Sequence, residues 1–66
     1  MSRYFVQVSV EGHPNTLGIY VAAADAGQAQ TAAFDAYTGA DMVVTNLDVH
    51  SVERFPEDFP VLNAIS

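Results

Sequence analysis

The side chains in this sequence that could do chemistry are few: His13 and His50, serines at 2, 9, 51 and 66, and eight carboxylates. A metal site would have to draw on the two histidines and the acids. His13 lies among turn formers and His50 far along the chain, and no H-x-x-x-H motif or clustered aspartate loop joins them. Two surface histidines are the expectation, with no metal. Nucleophilic catalysis has no cysteine and no G-x-S-x-G elbow, and the serines sit in no nucleophile motif, although Ser51 directly follows His50. Glu57 and Asp58 are adjacent carboxylates next to Pro56, but an exposed tail gives them no distinct environments for acid and base roles. Four scattered glycines form neither a phosphate-binding loop nor a dinucleotide fingerprint. The expectation is a chain that is not an enzyme and needs no cofactor.

The acids themselves are the most unusual feature. Eight Asp and Glu face only Arg3 and Arg54, with no lysine, for a net charge of −6. Such a chain is repelled by DNA, RNA and anionic membranes, so its expected partner is a protein with a basic surface. Two plainer explanations compete. Acidity keeps a small, apolar-rich protein soluble, and it also accompanies adaptation to salt, for which a charged fraction of 15% is low.

The elements that must position these groups follow from periodicity. Residues 3–11 alternate, with Tyr4, Val6, Val8 and Val10 on one face and Arg3, Phe5, Gln7, Ser9 and Glu11 on the other, as in a half-buried strand. Gly12-His13-Pro14-Asn15 is a turn cluster. Leu17, Ile19 and Val21 resume the alternation with Gly18 and Tyr20 opposite, which predicts an antiparallel hairpin. Asp25-Ala26-Gly27-Gln28 has capping-box spacing and opens an alanine-rich helix. Ala26, Ala29, Ala33, Ala36 and Tyr37 should face the sheet, with Phe34 at the stripe's edge and Gln28, Thr31, Asp35 and Thr38 wet. Gly39 is expected as a left-handed C-terminal cap. Residues 42–55 read as strand, with a kink at Asn46 and a bulge near His50-Ser51 to keep both Val49 and Val52 inside.

The expected fold is therefore α+β: a ββαβ domain with a three-stranded antiparallel sheet, one helix packed on one face, and an extended segment over residues 56–66. Pro56 and Pro60 limit that segment, yet Phe59, Val61, Leu62 and Ile65 are too apolar for a free tail. It wraps over the core, adds a short edge strand, or docks on another chain. All 66 residues belong to one domain with a thin core and no disulfide. No apolar run has the length of a membrane span, and the start Met1-Ser2-Arg3-Tyr4 lacks the features of a signal peptide, so a cytoplasmic location is expected.

Two surfaces emerge. Phe5 and Tyr20, with Gln7 and Gly18, point away from the helix. They either brace the hairpin as a cross-strand pair or form a docking patch or dimer seam. The second surface is acidic. With Asp25 committed to the cap, it comprises Glu11, Asp35, Asp41, Asp48, Glu53, Glu57 and Asp58, all expected to be exposed. Acids two apart on a strand would lie roughly 6.7 Å from each other, close to the phosphate spacing of a nucleic-acid strand.

The whole chain resembles the short, acidic anti-CRISPR proteins of phages and mobile elements. The likeness lies in Met1-Ser2-Arg3-Tyr4 leading straight into a strand, the Glu11-Gly12-His13-Pro14 turn and the Asp25-Ala26-Gly27-Gln28-Ala29 helix start. It is similar in particular to inhibitors of type I-C Cascade surveillance complexes. That resemblance implies a stoichiometric inhibitor in the bacterial host cytoplasm, a monomer or weak dimer, which fills a basic DNA-binding channel by acidic DNA mimicry and binds no nucleic acid itself. The alternative is a homo-oligomeric structural or adaptor module, built on the apolar tail and the outward aromatics, whose acidity serves only solubility.

Overall fold

A computed structural model of the chain describes residues 2–64; Met1, Ile65 and Ser66 lie outside the described residues. The elements are β1 (Ser2–Val10), β2 (Leu17–Ala23), α1 (Ala26–Thr38), β3 (Val44–Ser51) and β4 (Val61–Asn63). The α+β class is as expected. The sheet is not a three-stranded antiparallel one: it has four strands in the order β3-β1-β2-β4. β1 pairs antiparallel with both β2 and β3, while β4 pairs parallel with β2.

Alternation in β1 buries Val6, Val8 and Val10 against Val21 and Ala23 of β2 and Ala29 and Ala33 of α1. Being antiparallel to the same strand, β2 and β3 run in the same direction, and α1 is the crossover between them. The Asp25 carboxylate accepts from the Gln28 amide at 2.8 Å, as the capping-box spacing predicts. The returning Gln28 side chain accepts from the Ala24 amide, one residue before the expected position. Burial concentrates on Ala29 and Ala33, with Ala32 and Tyr37 packed beside them. Ala26 and Ala36 are exposed, contrary to the expected stripe. Near the helix ends a methyl group is too short to reach the sheet, whereas Tyr37 spans the gap and its hydroxyl donates to the Gly18 carbonyl at 3.4 Å. Burial raises the pKa of that hydroxyl above its ordinary 10.0.

The left-handed cap also moves. Gly39 is still helical at φ −65°, and Asp41 takes the positive φ, 63°. The Asp41 amide donates to the Thr38 carbonyl and the Met42 amide to the Tyr37 carbonyl, the bond pair of a Schellman cap with Asp41 at the left-handed position. Aspartate tolerates this region better than most residues, but glycine does so without a Cβ penalty. Asp41→Gly should therefore stabilise the domain by about 0.5–1 kcal/mol. A urea melt with an unchanged or lower midpoint would contradict this.

In β3 the expected kink at Asn46 and bulge at His50-Ser51 are replaced by one irregularity. Ser9 pairs with Asn46 and Val10 with Val44, so Thr45 is the extra residue. Pairing stays regular through Tyr4–Ser51, and Val52 falls outside the core cluster.

Of the three routes open to the C-terminal segment, it takes the edge strand. Val61, Leu62 and Asn63 lie beside Tyr20, Val21 and Ala22, and the Ala64 amide donates to the Ala22 carbonyl at 2.8 Å. To enter β4 parallel to β2, residues 52–60 must cross three strand spacings, about 14 Å, as well as run back along the sheet. Nine residues reach roughly 30 Å when extended, which leaves little slack. They cross the face opposite α1, a strap over the outer side of the sheet.

Candidate interaction surface

The outer face is built by the residues that alternate away from α1: Phe5 and Gln7 on β1, Gly18, Tyr20 and Ala22 on β2, and Asn46, Asp48 and His50 on β3. Its two halves differ in chemistry. Toward β4 it is aromatic. Tyr20 lies 4.8 Å from Phe5, 5.9 Å from Phe55 and 5.8 Å from Phe59, measured between ring centroids. The strap thus brings two further rings onto the cross-strand pair, and Ala22 on this same face is buried. Phe5 and Tyr20 are half-buried, not a bare patch. The strap gives these outward aromatics a second, smaller apolar cluster to enter. Phe59 stays 59% exposed, so the cluster has an open outer rim.

Phe5 also lies diagonally over Gly18. A Cβ there would sit 2.5 Å from the ring's Cζ and 2.7 Å from Cε1, so any larger residue pushes the ring away. Gly18→Ala should cost about 1 kcal/mol although alanine has the better strand propensity. A neutral or stabilising result in thermal unfolding would argue against this packing.

Toward β3 the outer face is polar. His50 Nε2 and Gln7 Oε1 are hydrogen-bonded at 3.1 Å, Gln7 pairs with Asp48 across the ladder, and Asn46 Nδ2 donates to Asp48 Oδ2 at 3.5 Å. His13 lies in the β1–β2 turn, away from His50, and among the described residues no three His, Cys, Asp or Glu gather as metal ligands would.

All seven candidate acids are exposed, but they do not form one row. The Glu11 amide donates to the Val43 carbonyl at 2.9 Å, which brings Glu11 and the Asp41 cap to the hairpin end of the sheet. Asp35 stands on α1, on the other side of the sheet from Asp48. Glu53 was expected within the last strand; β3 ends at Ser51, and Glu53 sits at the far end, where Arg3 Nη1 donates to its main-chain carbonyl at 3.2 Å. Glu57 and Asp58 form the turn of the strap between Phe55 and Phe59. Along the outward positions of β3 only Asp48 is acidic, so the phosphate-like spacing has no second acid to complete it.

Among the described residues, neither arginine is ion-paired with a carboxylate. The acidic charge is therefore left without internal compensation, spread over both faces and both ends.

Three features do not follow from the sequence pattern: the packing of Phe55 and Phe59 on Tyr20, the groove beside Phe34, and the free edge of β3. The Phe-Pro repeats at 55–56 and 59–60 are the signal for the first, since paired aromatic and proline residues favour extended chain that packs flat. No helix among the described residues is long and apolar enough to cross a membrane. Compared with protein-family models, curated proteins and solved structures, the chain matches none.

Proposed function

We propose that this chain is a stoichiometric, non-catalytic inhibitor that docks its acidic exterior on a basic, nucleic-acid-binding surface of a protein complex. The resemblance to small anti-CRISPR proteins suggests a type I surveillance complex, of the I-C kind, as that partner. The observation that carries the reading is the set of seven exposed carboxylates that no internal cation neutralises. Folding does not require so many uncompensated acids on a domain this small, and their mutual repulsion opposes compaction. A basic channel relieves that repulsion, and the long-range field steers the two surfaces together.

The separate grouping of the acids bears on how DNA would be excluded. Competition works through occupancy and field, with Asp48, Glu53 or the Glu57–Asp58 turn each able to meet a lysine or arginine, rather than through a phosphate-spaced ladder. The homo-oligomeric alternative loses support because its two elements, the tail and the outward aromatics, pack on each other within one chain.

Addition of the chain to a purified type I-C surveillance complex should lower target-DNA binding in a mobility-shift assay, with an endpoint at a fixed molar ratio. The inhibition should weaken as salt rises, because the attraction acts between exposed charges. Unchanged DNA binding at a large molar excess and low salt would overturn the proposal.

A further inference from the structure

The two edges of the sheet differ. β4 is three residues long and follows directly on Pro60, so that edge is blunt. β3 is eight residues long, contains neither proline nor lysine, and has no strand on its outer side among the described residues. Its phase is fixed by the Val52 amide, which donates to the Arg3 carbonyl at 3.0 Å. In an antiparallel ladder alternate residues bond the neighbour, so Asp48 and His50 turn their main-chain groups to β1. Leu47, Val49 and Ser51 present theirs to the free edge.

Beside this edge runs an open groove of about 360 Å³ between α1 and β3, lined by Gln30, Phe34, Val44, Thr45, Asn46 and Leu47. Phe34 is 44% exposed there. A free ladder edge beside a mixed groove, in which Phe34, Val44 and Leu47 are apolar and Gln30, Thr45 and Asn46 polar, has the two parts of a strand-addition site: main-chain groups for affinity and a seat for alternate side chains.

We infer that β3 receives an extended segment of a basic protein as a fifth strand, with apolar side chains seated against Phe34 and Leu47 and lysine or arginine side chains beside Asp48 on the outer face. Charge selects this occupant over a second copy of the chain, since self-pairing would join two bodies of net charge −6 along their long edges. The inference rests on the basic-partner reading and adds to it the place and conformation of the contact.

The test uses the full chain labelled with nitrogen-15 and two short synthetic peptides, one alternating isoleucine with lysine and the other isoleucine with glutamate. At saturation the lysine peptide should slow amide exchange of Leu47, Val49 and Ser51 by about tenfold or more. Phe34→Ala should weaken its binding about fivefold or more. Asp48→Lys, at an exposed position, should weaken the lysine peptide and strengthen the glutamate peptide by a few fold each. Unchanged exchange at those three amides, with the lysine peptide bound elsewhere, would overturn the strand-addition site and leave the basic-partner reading standing. Equal binding of both peptides at β3 would overturn the basic partner instead. Slowing of the same amides with protein concentration alone would make the occupant a second copy and overturn the inference.

Discussion

The variant carrying Asp35→Lys, Asp48→Lys and Glu53→Lys is expected to fold like the parent and to lose its inhibitory affinity by roughly a hundredfold. Each replacement changes the charge by two units, so three of them take the net charge from −6 to zero. All three positions are exposed and none is in an ion pair with an arginine, so the folded state loses no internal charge contact and is relieved of repulsion. Against a basic surface each lost attraction is worth about 0.2–1 kcal/mol when exposed, and each new like-charge contact adds a penalty of similar size. Three sites together reach about 2.7 kcal/mol, which is a hundredfold in affinity. The positions lie on different parts of the molecule: α1, the outer face and the far end of the sheet. Single reversals therefore rank the docking face directly. Full potency in the triple variant, with a normal urea melt, would show that acidity plays no part in binding.

The second large effect concerns the strap. Tyr20→Ala removes the ring that touches Phe5, Phe55 and Phe59 at once. Truncation of a large aromatic in a core costs about 3–5 kcal/mol, and for a half-buried ring about 2–3 kcal/mol is expected. The whole domain should have only about 3–10 kcal/mol, taking roughly 0.05–0.15 kcal/mol for each residue. A substantial part of the stability is at stake. Tyr20→Phe is the control: among the described residues the hydroxyl has no hydrogen bond, so that variant should be near neutral. A loss below about 1 kcal/mol for Tyr20→Ala in urea unfolding would mean that the strap does not hold the outer face.

Local periodicity made most of the fold legible. The valines of β1 alternate because one face of a three-strand centre is dry, and the Asp25 cap is visible because its carboxylate must find an amide three residues on. What escaped depends on contacts between distant segments. β4 is only three residues long and comes after a proline, so its pairing with β2 is set by the geometry of the crossing and by rings at 55 and 59, not by any pattern of its own. The left-handed residue fell at Asp41 because the helix bonding continues through Gly39, and spacing alone favours the glycine. The bulge fell at Thr45 because Val44 and Leu47 both pack inward, a requirement imposed by α1. The candidate site was half legible. Exposure of the acids follows from their type, and all seven are exposed. Their grouping does not follow, because it depends on which sheet face and which end each connection reaches. The outward pair Phe5 and Tyr20 was readable from parity, but its partners on the strap were not.

The most direct measurement asks whether DNA and this chain compete for one surface. A surveillance complex loaded with target DNA would be passed over immobilised chain, beside the DNA-free complex at the same salt. Capture of the free complex, with loss of capture once DNA is bound, is the expected result. Capture of both, with DNA retained in a ternary assembly, would contradict it.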